Sequence, residues 1–269
     1  MIRRITLALG AALVGLALAA ALLGATLWHV SPFTQDLMHR LQPPEWLGGS
    51  PAHPFGTDQL GRDYLARLLY GARISLSIGA FAVLASGTIG TVLGVLGGFF
   101  GGWIDDLVMF VITCRLSLPL VLVALALVSA VGSSLTVVAL TLGLLLWDRF
   151  AVVVRAVTRQ IRTQDYVAAA WSAGAGPFAV LVREVLPNLA PQLAVVATLE
   201  LAQAILLEAV LSFLGLGVPP PLPSWGLMIA EGKDYMFFQP WVVTVPGVAL
   251  FGLVMGVTLL GEGLRDRAA

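Results

Sequence analysis

The chain alternates long apolar runs with short polar segments. A helix needs roughly 20 mostly apolar residues to cross the hydrocarbon core of a bilayer. Runs of that kind lie at residues 5–28, 73–97, 105–131, 134–155, 191–216 and 241–261. This pattern predicts an all-α, polytopic membrane protein with about six transmembrane helices.

The first apolar run follows Arg3 and Arg4 and contains small residues at positions 19–21. These are also features of a cleaved secretory signal. The run is longer than the roughly 7 to 15 residues of a typical signal core, so we favour an uncleaved membrane anchor.

Composition agrees with a membrane protein and argues against several other classes. Hydrophobic residues make up 58% of the chain, charged residues only 11%, and the mean hydropathy is +0.93. Basic and acidic residues balance at 15 each, so the net basic charge typical of nucleic-acid binding is missing. The single cysteine, Cys114, lies in an apolar run, which excludes a disulfide framework or a cysteine-rich metal site within the chain.

Arginine residues are distributed unevenly between the two sides of the predicted spans. If six spans alternate, one side carries Arg3, Arg4, Arg155, Arg159, Arg162, Arg183, Arg265 and Arg267. Cytoplasmic loops carry the Arg and Lys excess, so this side is predicted to be the cytoplasm, with both termini inside. Lys233 and four arginines (Arg40, Arg62, Arg67 and Arg73) fall outside, but those four lie in a loop of about 40 residues, where the charge bias is weaker.

The long outer loop contains an amphipathic pattern. Apolar residues recur at helical spacing at Leu60, Tyr64, Leu65, Leu68 and Leu69, while Arg62, Asp63 and Arg67 take the opposite face. With Thr57 or Asp58 as the N-cap, this pattern predicts a short helix lying on the membrane surface.

The inner segment 164–185 predicts a short helix and a turn. Charged residues bound it, residues 168–170 are alanines that favour a helix, and Gly174, Gly176 and Pro177 follow. On the pattern alone, an ordinary cytoplasmic hairpin between two spans remains an equal alternative.

Several segments resemble motifs of one transporter family. Residues 165–175 (Asp-Tyr-Val-Ala-Ala-Ala-Trp-Ser-Ala-Gly-Ala) and 183–188 (Arg-Glu-Val-Leu-Pro-Asn) resemble the EAA loop of ABC importer permeases. Residues 53–63 (His-Pro-Phe-Gly-Thr-Asp-Gln-Leu-Gly-Arg-Asp) and 70–76 (Tyr-Gly-Ala-Arg-Ile-Ser-Leu) resemble the loop before the core of dipeptide and oligopeptide permeases. Residues 211–217 and 223–226 are similar to the end of the fifth span and the outer loop that follows. The chain thus resembles the inner-membrane component of the dipeptide/oligopeptide (and nickel) ABC transporter permease family, with a type I importer permease fold.

This resemblance implies an ATPase-coupling loop at about residues 156–188. Its matching residues are Asp165, Tyr166, Ala168, Ala169, Ala170, Gly174, Ala175, Leu186 and Pro187. Ala168 stands where the family often has Glu, and Glu184 where many members have His. In the third span, Phe110 and Thr113 replace an Arg and an Asp that the family often has, and Arg115 appears nearby.

Energy for transport is predicted to come from other chains. The only lysine, Lys233, does not lie in a phosphate-binding Gly-Lys-Ser/Thr loop. The resemblance implies a second homologous permease subunit, two cytoplasmic ATPase subunits and an extracytoplasmic solute-binding protein, in contact with membrane lipid. No enzyme activity or cofactor is predicted, because no nucleophile–base pattern is recognisable. A metal site from His29, His39 and His53 would need carboxylate help, and scattered loop histidines are more often solvated.

Ionisable groups inside spans are expensive and usually face a cavity or a partner. Arg115, Asp148, Arg149, Glu200 and Glu208 have such positions. Glu200, Gln203 and Glu208 share one face of the fifth span, which either lines a passage or packs against a neighbouring helix. The candidate pathway-lining residues are Glu200, Gln203, Glu208 and Arg115.

Glycine spacing in the second span favours close helix packing. Gly90 and Gly94 have the Gly-x-x-x-Gly spacing that lets helix backbones approach in lipid. The contact is predicted either within the bundle or with a second permease.

Two regions are predicted. Residues 1–71 form an N-terminal transmembrane anchor and an extracytoplasmic loop with the amphipathic helix, and residues 72–269 form the ABC permease core. The predicted protein is half of a translocation pathway in a bacterial or archaeal inner membrane. Peptide is the predicted substrate class, although members of the family also carry nickel complexes or glutathione. The alternative is a self-sufficient secondary transporter or channel, with Glu200 and Glu208 coupling ions; an inverted repeat would favour it, and none is seen in the sequence.

Reporter fusions test the predicted topology. Fusions after Arg162 and at the C-terminus should report the cytoplasm, and fusions near Pro51 and Pro221 should report the outside, because of the arginine asymmetry. A cytoplasmic reporter at Pro51 would show that the first apolar run does not cross the membrane.

Overall fold

The computed structural model describes residues 2–268 and, apart from residues 2–4, 25 and 266–268, their side chains. The helices are α1 Ile2–Leu27, α2 Tyr64–Phe100, α3 Gly102–Leu116, α4 Leu120–Val131, α5 Leu135–Leu145, α6 Asp148–Arg162, α7 Asp165–Ser172, α8 Pro177–Val180, α9 Leu186–Phe213, α10 Trp225–Gly232 and α11 Trp241–Ala268. A π-helical turn, Leu181–Val185, joins α8 to α9. Short 3-10 turns lie at Leu37–His39, Glu45–Leu47 and Lys233–Tyr235.

The helical fold class predicted from the apolar runs is confirmed. Among the described residues, five helices are long and apolar enough to cross a membrane, and a sixth span forms if α3 and α4 are counted together. These two helices are bent by 82° at residues 117–119. Pro119 explains the break, because proline disfavours a helical conformation in the residue before it. The fourth span is also interrupted, between α5 and α6.

The prediction of a short surface helix around residues 60–69 is wrong. Helix α2 begins at Tyr64, and the same helix continues through the membrane to Phe100. Asp63, rather than Thr57 or Asp58, is its N-cap, and its carboxylate accepts the Ala66 backbone N–H at 2.7 Å. The charged face predicted to meet solvent is buried, because loop residues 28–63 fold over the start of α2. The predicted region boundary between residues 71 and 72 falls inside this continuous helix.

Helix α2 forms the centre of the bundle and packs against α1, α5, α6 and α9. Its closest approach is to α6, across Gly90, Gly94 and Gly98. A Cβ atom would lie 2.5 Å from Phe150 Cβ at Gly90, and 2.7 Å from the Ala151 carbonyl oxygen at Gly94. The glycine spacing therefore serves packing within this chain, one of the two contacts predicted from the sequence.

Adding one methyl group at this contact should destabilise the bundle. Gly90→Ala should cost about 1 to 3 kcal/mol, because the backbone of α6 cannot move away without disturbing the core. The matched control is Gly87→Ala, one turn earlier, where a Cβ would meet only ordinary contact with Phe150 at 3.4 Å. Thermal unfolding of the detergent-purified protein measures both variants. Equal midpoints for the two variants would contradict the proposed close packing.

Candidate functional site

The predicted coupling segment forms a short helix that stands between two spans. Helix α7 begins at Asp165, directly after α6, and ends at Ser172. Gly174 follows with φ of +83°, in the left-handed region that favours glycine. The Gly174 N–H donates to Trp171 O at 3.0 Å, and the Ala175 N–H donates to Ala170 O at 3.1 Å. These two bonds form a Schellman motif, so Gly174 ends the helix for a clear conformational reason.

One side of α7 is anchored in the bundle and the other is open. Val167 is fully buried in a cluster that includes Val95 of α2, Val154 of α6 and Leu189 of α9. Trp171 stacks on Phe99 with 6.3 Å between ring centroids. The open side of the α7–α8 segment exposes Tyr166, Ala168, Ala169 and Phe178, the last with 77% of its surface accessible. A helix held on one side and exposing aromatic groups on the other has a surface suited to a protein partner.

Leu186 and Pro187 do not lie on α7. They start α9, immediately after the π-helical turn. Pro187 lacks an N–H donor and would disturb a regular helix, and the π turn is where the helix accommodates it. Asn188 Nδ2 donates to Glu184 O at 2.6 Å within this turn. Ala168 and Glu184, the two departures from the family pattern, are both compatible with the observed helix and turn.

Asp105 ties the start of α3 to the end of α6 beside this segment. Arg155 donates to its carboxylate through Nη2 at 2.7 Å, and Arg159 Nη1 lies 3.4 Å from Asp105 Oδ2. From the sequence these arginines indicated orientation only. The acidic partner was missed, because a lone Asp near a span end carries no motif.

Near the middle of the bundle, the structure brings together four of the intramembrane ionisable residues. Arg149 Nη1 lies 2.9 Å from Glu200 Oε1, between α6 and α9. Asp148 and Arg115 are close enough to act electrostatically on Glu200. Glu200 is 2% exposed, whereas 51% of the Arg149 side chain is exposed in the single chain. Gln203 is half-buried on the same helix.

Arg115 fills the break between α5 and α6. Its Nε donates to the Leu145 carbonyl oxygen at 3.0 Å, and its Nη2 donates to the same oxygen. The last carbonyl groups of a helix have no partner within the helix, so the guanidinium satisfies one that would otherwise be unpaired in a nonpolar environment.

Glu208 lies apart from this group, two turns further along α9. It is fully buried and accepts hydrogen bonds from Ser212 at 2.8 Å, Ser224 at 2.7 Å and Ser75 at 3.4 Å. Ser224 is also the N-cap of α10. Because its partners join α2, α9 and α10, the environment of Glu208 favours the packing alternative over a lining role.

A second buried ion network, which we name the outer network, consists of Asp58, Arg62, Arg67 and Glu231. Arg62 Nε lies 2.6 Å from Asp58 Oδ2, and Arg67 Nη2 lies 2.7 Å from Glu231 Oε2. Arg67 also approaches Asp58 at 3.3 Å. The network joins the outer loop to α2 and α10. The amphipathic pattern put Arg62 and Arg67 on the polar face of a surface helix. The residue that could have indicated a tight turn here is Gly61, whose φ of +73° lies in the region that favours glycine.

Two of the three loop histidines pair singly with carboxylates. His53 Nδ1 lies 2.7 Å from Asp63 Oδ2, and His39 Nδ1 lies 2.7 Å from Asp36 Oδ2. The hydrogen bond from His39 holds the pKa of Asp36 below its usual value. Within the described part of the chain, no group of three or more His, Cys, Asp or Glu side chains could hold a metal ion.

A bundle of apolar spans with a short helix outside it at one end is the architecture of a polytopic membrane protein. Residues 90–267 match the family of binding-protein-dependent transport system inner membrane components. The chain belongs to this family, which confirms the resemblance seen in its motifs.

Curated relatives extend over most of the chain. It is 37% identical over 261 residues to the dipeptide transport system permease protein DppC of Haemophilus influenzae, covering 95% of this chain and 88% of that protein. It is 40% identical to the di/tripeptide transport system permease protein DppC of Pseudomonas aeruginosa, covering 88% and 80%. It is 39% identical to the glutathione transport system permease protein GsiD of Pectobacterium atrosepticum, covering 81% and 73%.

Solved structures confirm the fold. Two inward-facing structures of the MetNI methionine ABC transporter align with TM-scores of 0.60 and 0.63 and sequence identities of 20% and 19%. The alignments cover 75% and 76% of this chain and 96% of the transporter chain in both cases. The protein therefore has the ABC importer permease fold and is a multi-pass protein of the inner membrane.

Removing one charge from the outer network should destabilise the protein strongly. Asp58→Asn leaves Arg62 and Arg67 buried with reduced compensation, and breaking a buried pair costs about 3 to 5 kcal/mol. Asp36→Asn is the matched control, because its partner His39 and Asp36 itself are both half exposed. The unfolding midpoint should fall for Asp58→Asn and stay within error for Asp36→Asn. An unchanged midpoint for Asp58→Asn would show that the network is not maintained in the membrane.

Proposed function

We propose that this chain forms half of the translocation pathway of an ABC importer for di- or oligopeptides or a related small solute. The family match supports the transport role, and the relatives named for dipeptide, di/tripeptide and glutathione transport support the substrate class. The alternative of a self-sufficient secondary transporter or channel has no comparable support. The other half of the pathway comes from a second, homologous permease subunit.

The geometry of α7 carries the proposed link to ATP. Two cytoplasmic ATPase subunits bind the complex, and the segment from Asp165 to Ala175 docks into a groove on one of them. Its open face and its glycine turn support this role, while Val167 connects it to the core. Movement imposed on α7 then passes to α6 and α9, which it joins.

We also propose a membrane topology and a division of the chain into two regions. Both termini and α7 lie in the cytoplasm, supported by the arginine excess at that end. Residues 1–71 form the anchor and the outer loop, residues 72–269 form the permease core, and an extracytoplasmic solute-binding protein delivers the solute to the outer side. The match over residues 90–267 supports this placement of the core.

A charge at Gly174 tests the coupling role. Gly174→Asp alters no span, so the chain should insert normally and keep its partner permease. An unpaired carboxylate at the docking surface should cost several kcal/mol there. Co-purification of the ATPases should therefore fall, and uptake of labelled dialanine should fall at least tenfold.

The chain offers a matched control in Gly48→Asp. Gly48 has φ of +88° and open space around its Cβ direction, as Gly174 has, but it lies in the outer loop. Both variants carry the same backbone strain, so a difference between them in ATPase co-purification and uptake reports the effect on docking. If Gly174→Asp retains full uptake and its ATPases, the coupling assignment is wrong.

A further inference from the structure

Arg149 is an arginine with unused hydrogen-bonding capacity in the middle of a membrane span. It lies halfway along the span Leu135–Arg162, and Glu200 lies halfway along α9. Its Nη1 contacts Glu200 at 2.9 Å, and no other ion pair or hydrogen bond of its side chain exists among the described residues. A guanidinium group carries five N–H donors, so most of them remain free.

The exposed half of Arg149 cannot face lipid at this depth. A charged side chain at the bilayer centre is energetically costly, and such residues face a partner or a water-filled cavity. Val152, Ala156 and Arg159 are exposed on the same face of α6 and continue it toward α7. In the assembled importer this face therefore meets a protein partner or a water-filled cavity.

The surroundings of Arg149 also resemble a solute site more than a lipid contact. The break between α5 and α6 precedes it directly, and Arg115 fills the end of α5 there. Interrupted helices near the midplane are where transporters place polar sites. Glu200 is buried behind Arg149 and fixes one nitrogen, so the free edge of the guanidinium points away from Glu200.

We propose that Arg149, positioned by Glu200, binds the carboxylate group of the solute as it passes through the importer. This inference rests on the proposed function and names a chemical feature of its substrate: a free carboxylate, such as a peptide C-terminus. The planar guanidinium fork matches a carboxylate in two parallel hydrogen bonds. Glu200 neutralises part of the charge, which keeps the contact weak enough for the solute to leave.

Direct binding measurements test the proposal. The complex of this chain with its partner permease and ATPases, in lipid nanodiscs without the solute-binding protein, is titrated with radiolabelled dialanine. Unlabelled dialanine should displace the label, and dialanine amide should do so about tenfold more weakly, since it lacks the carboxylate. Arg149→Gln should weaken dialanine binding about tenfold, to the level of the amide, and leave the amide unaffected.

Two further variants make the result specific. Arg149→Lys retains the charge but not the fork and should bind dialanine with intermediate affinity. Arg73→Gln removes an exposed arginine near the outer end of α2 and should change nothing. Co-purification of the partner permease and the ATPases reports assembly and should be equal in all four complexes.

Several outcomes would overturn the inference. They are the absence of displaceable dialanine binding, equal competition by the amide, equal weakening of both ligands by Arg149→Gln, or loss of assembly in both Arg149 variants. The last would show that the ion pair only holds α6 to α9. Dialanine uptake tests the proposed function separately. If the importer transports dialanine but shows any of these results, the proposed function stands and the proposed role of Arg149 is wrong.

Discussion

Hydrocarbon offers no water to an unpaired donor, acceptor or charge, and this constraint shapes most of the chain. Backbone groups are satisfied within helices, and where a helix is interrupted, a side chain replaces the missing partner. Arg115 does so at the end of α5. Glu208 accepts hydrogen bonds from three serine hydroxyls. Arg149 pairs only with Glu200 among the described residues, which leaves most of its donors free, and about half of its side chain is exposed.

Close packing of α2 against α6 provides the rigid part of the subunit. The glycines on α2 let the two backbones approach, so the helices are held over much of their length. Helix α6 then runs directly to α7, and the cluster around Val167 includes residues of α2, α6 and α9. In the proposed importer, a force on α7 therefore acts on the bundle rather than on a loose loop. The Arg149–Glu200 contact joins the two spans that flank α7, so the proposed solute site and the proposed coupling segment share the same helices.

The end of the bundle opposite α7 is built differently. There the loop folds into a cap whose charges are buried, and Tyr64 and Trp241 pack edge to face beneath it with 5.1 Å between ring centroids. Tyr64 also donates to the Val242 carbonyl oxygen, which joins α2 to the start of α11. Helix α10 is held from both sides, by Glu231 in the outer network and by Ser224 on Glu208. The cap, α10 and the starts of α2 and α11 thus form one connected unit, where the sequence suggested a loop with a separate surface helix.

The amino-acid sequence by itself determined the features that depend on neighbours along the chain. Apolar length predicted the spans, three alanines followed by Gly174 predicted a short helix and its end, and the motifs predicted the family. Tertiary structure alone decided the partner of each charge. Arg67 meets Glu231 across 164 residues of sequence, and Arg149 meets Glu200 on another span. Helical periodicity at residues 60–69 held only from Tyr64 onward, and it could not tell solvent from a buried carboxylate. The reason is physical: periodicity reports which side chains share a face, whereas the free energy of a charge depends on what the folded chain places opposite that face.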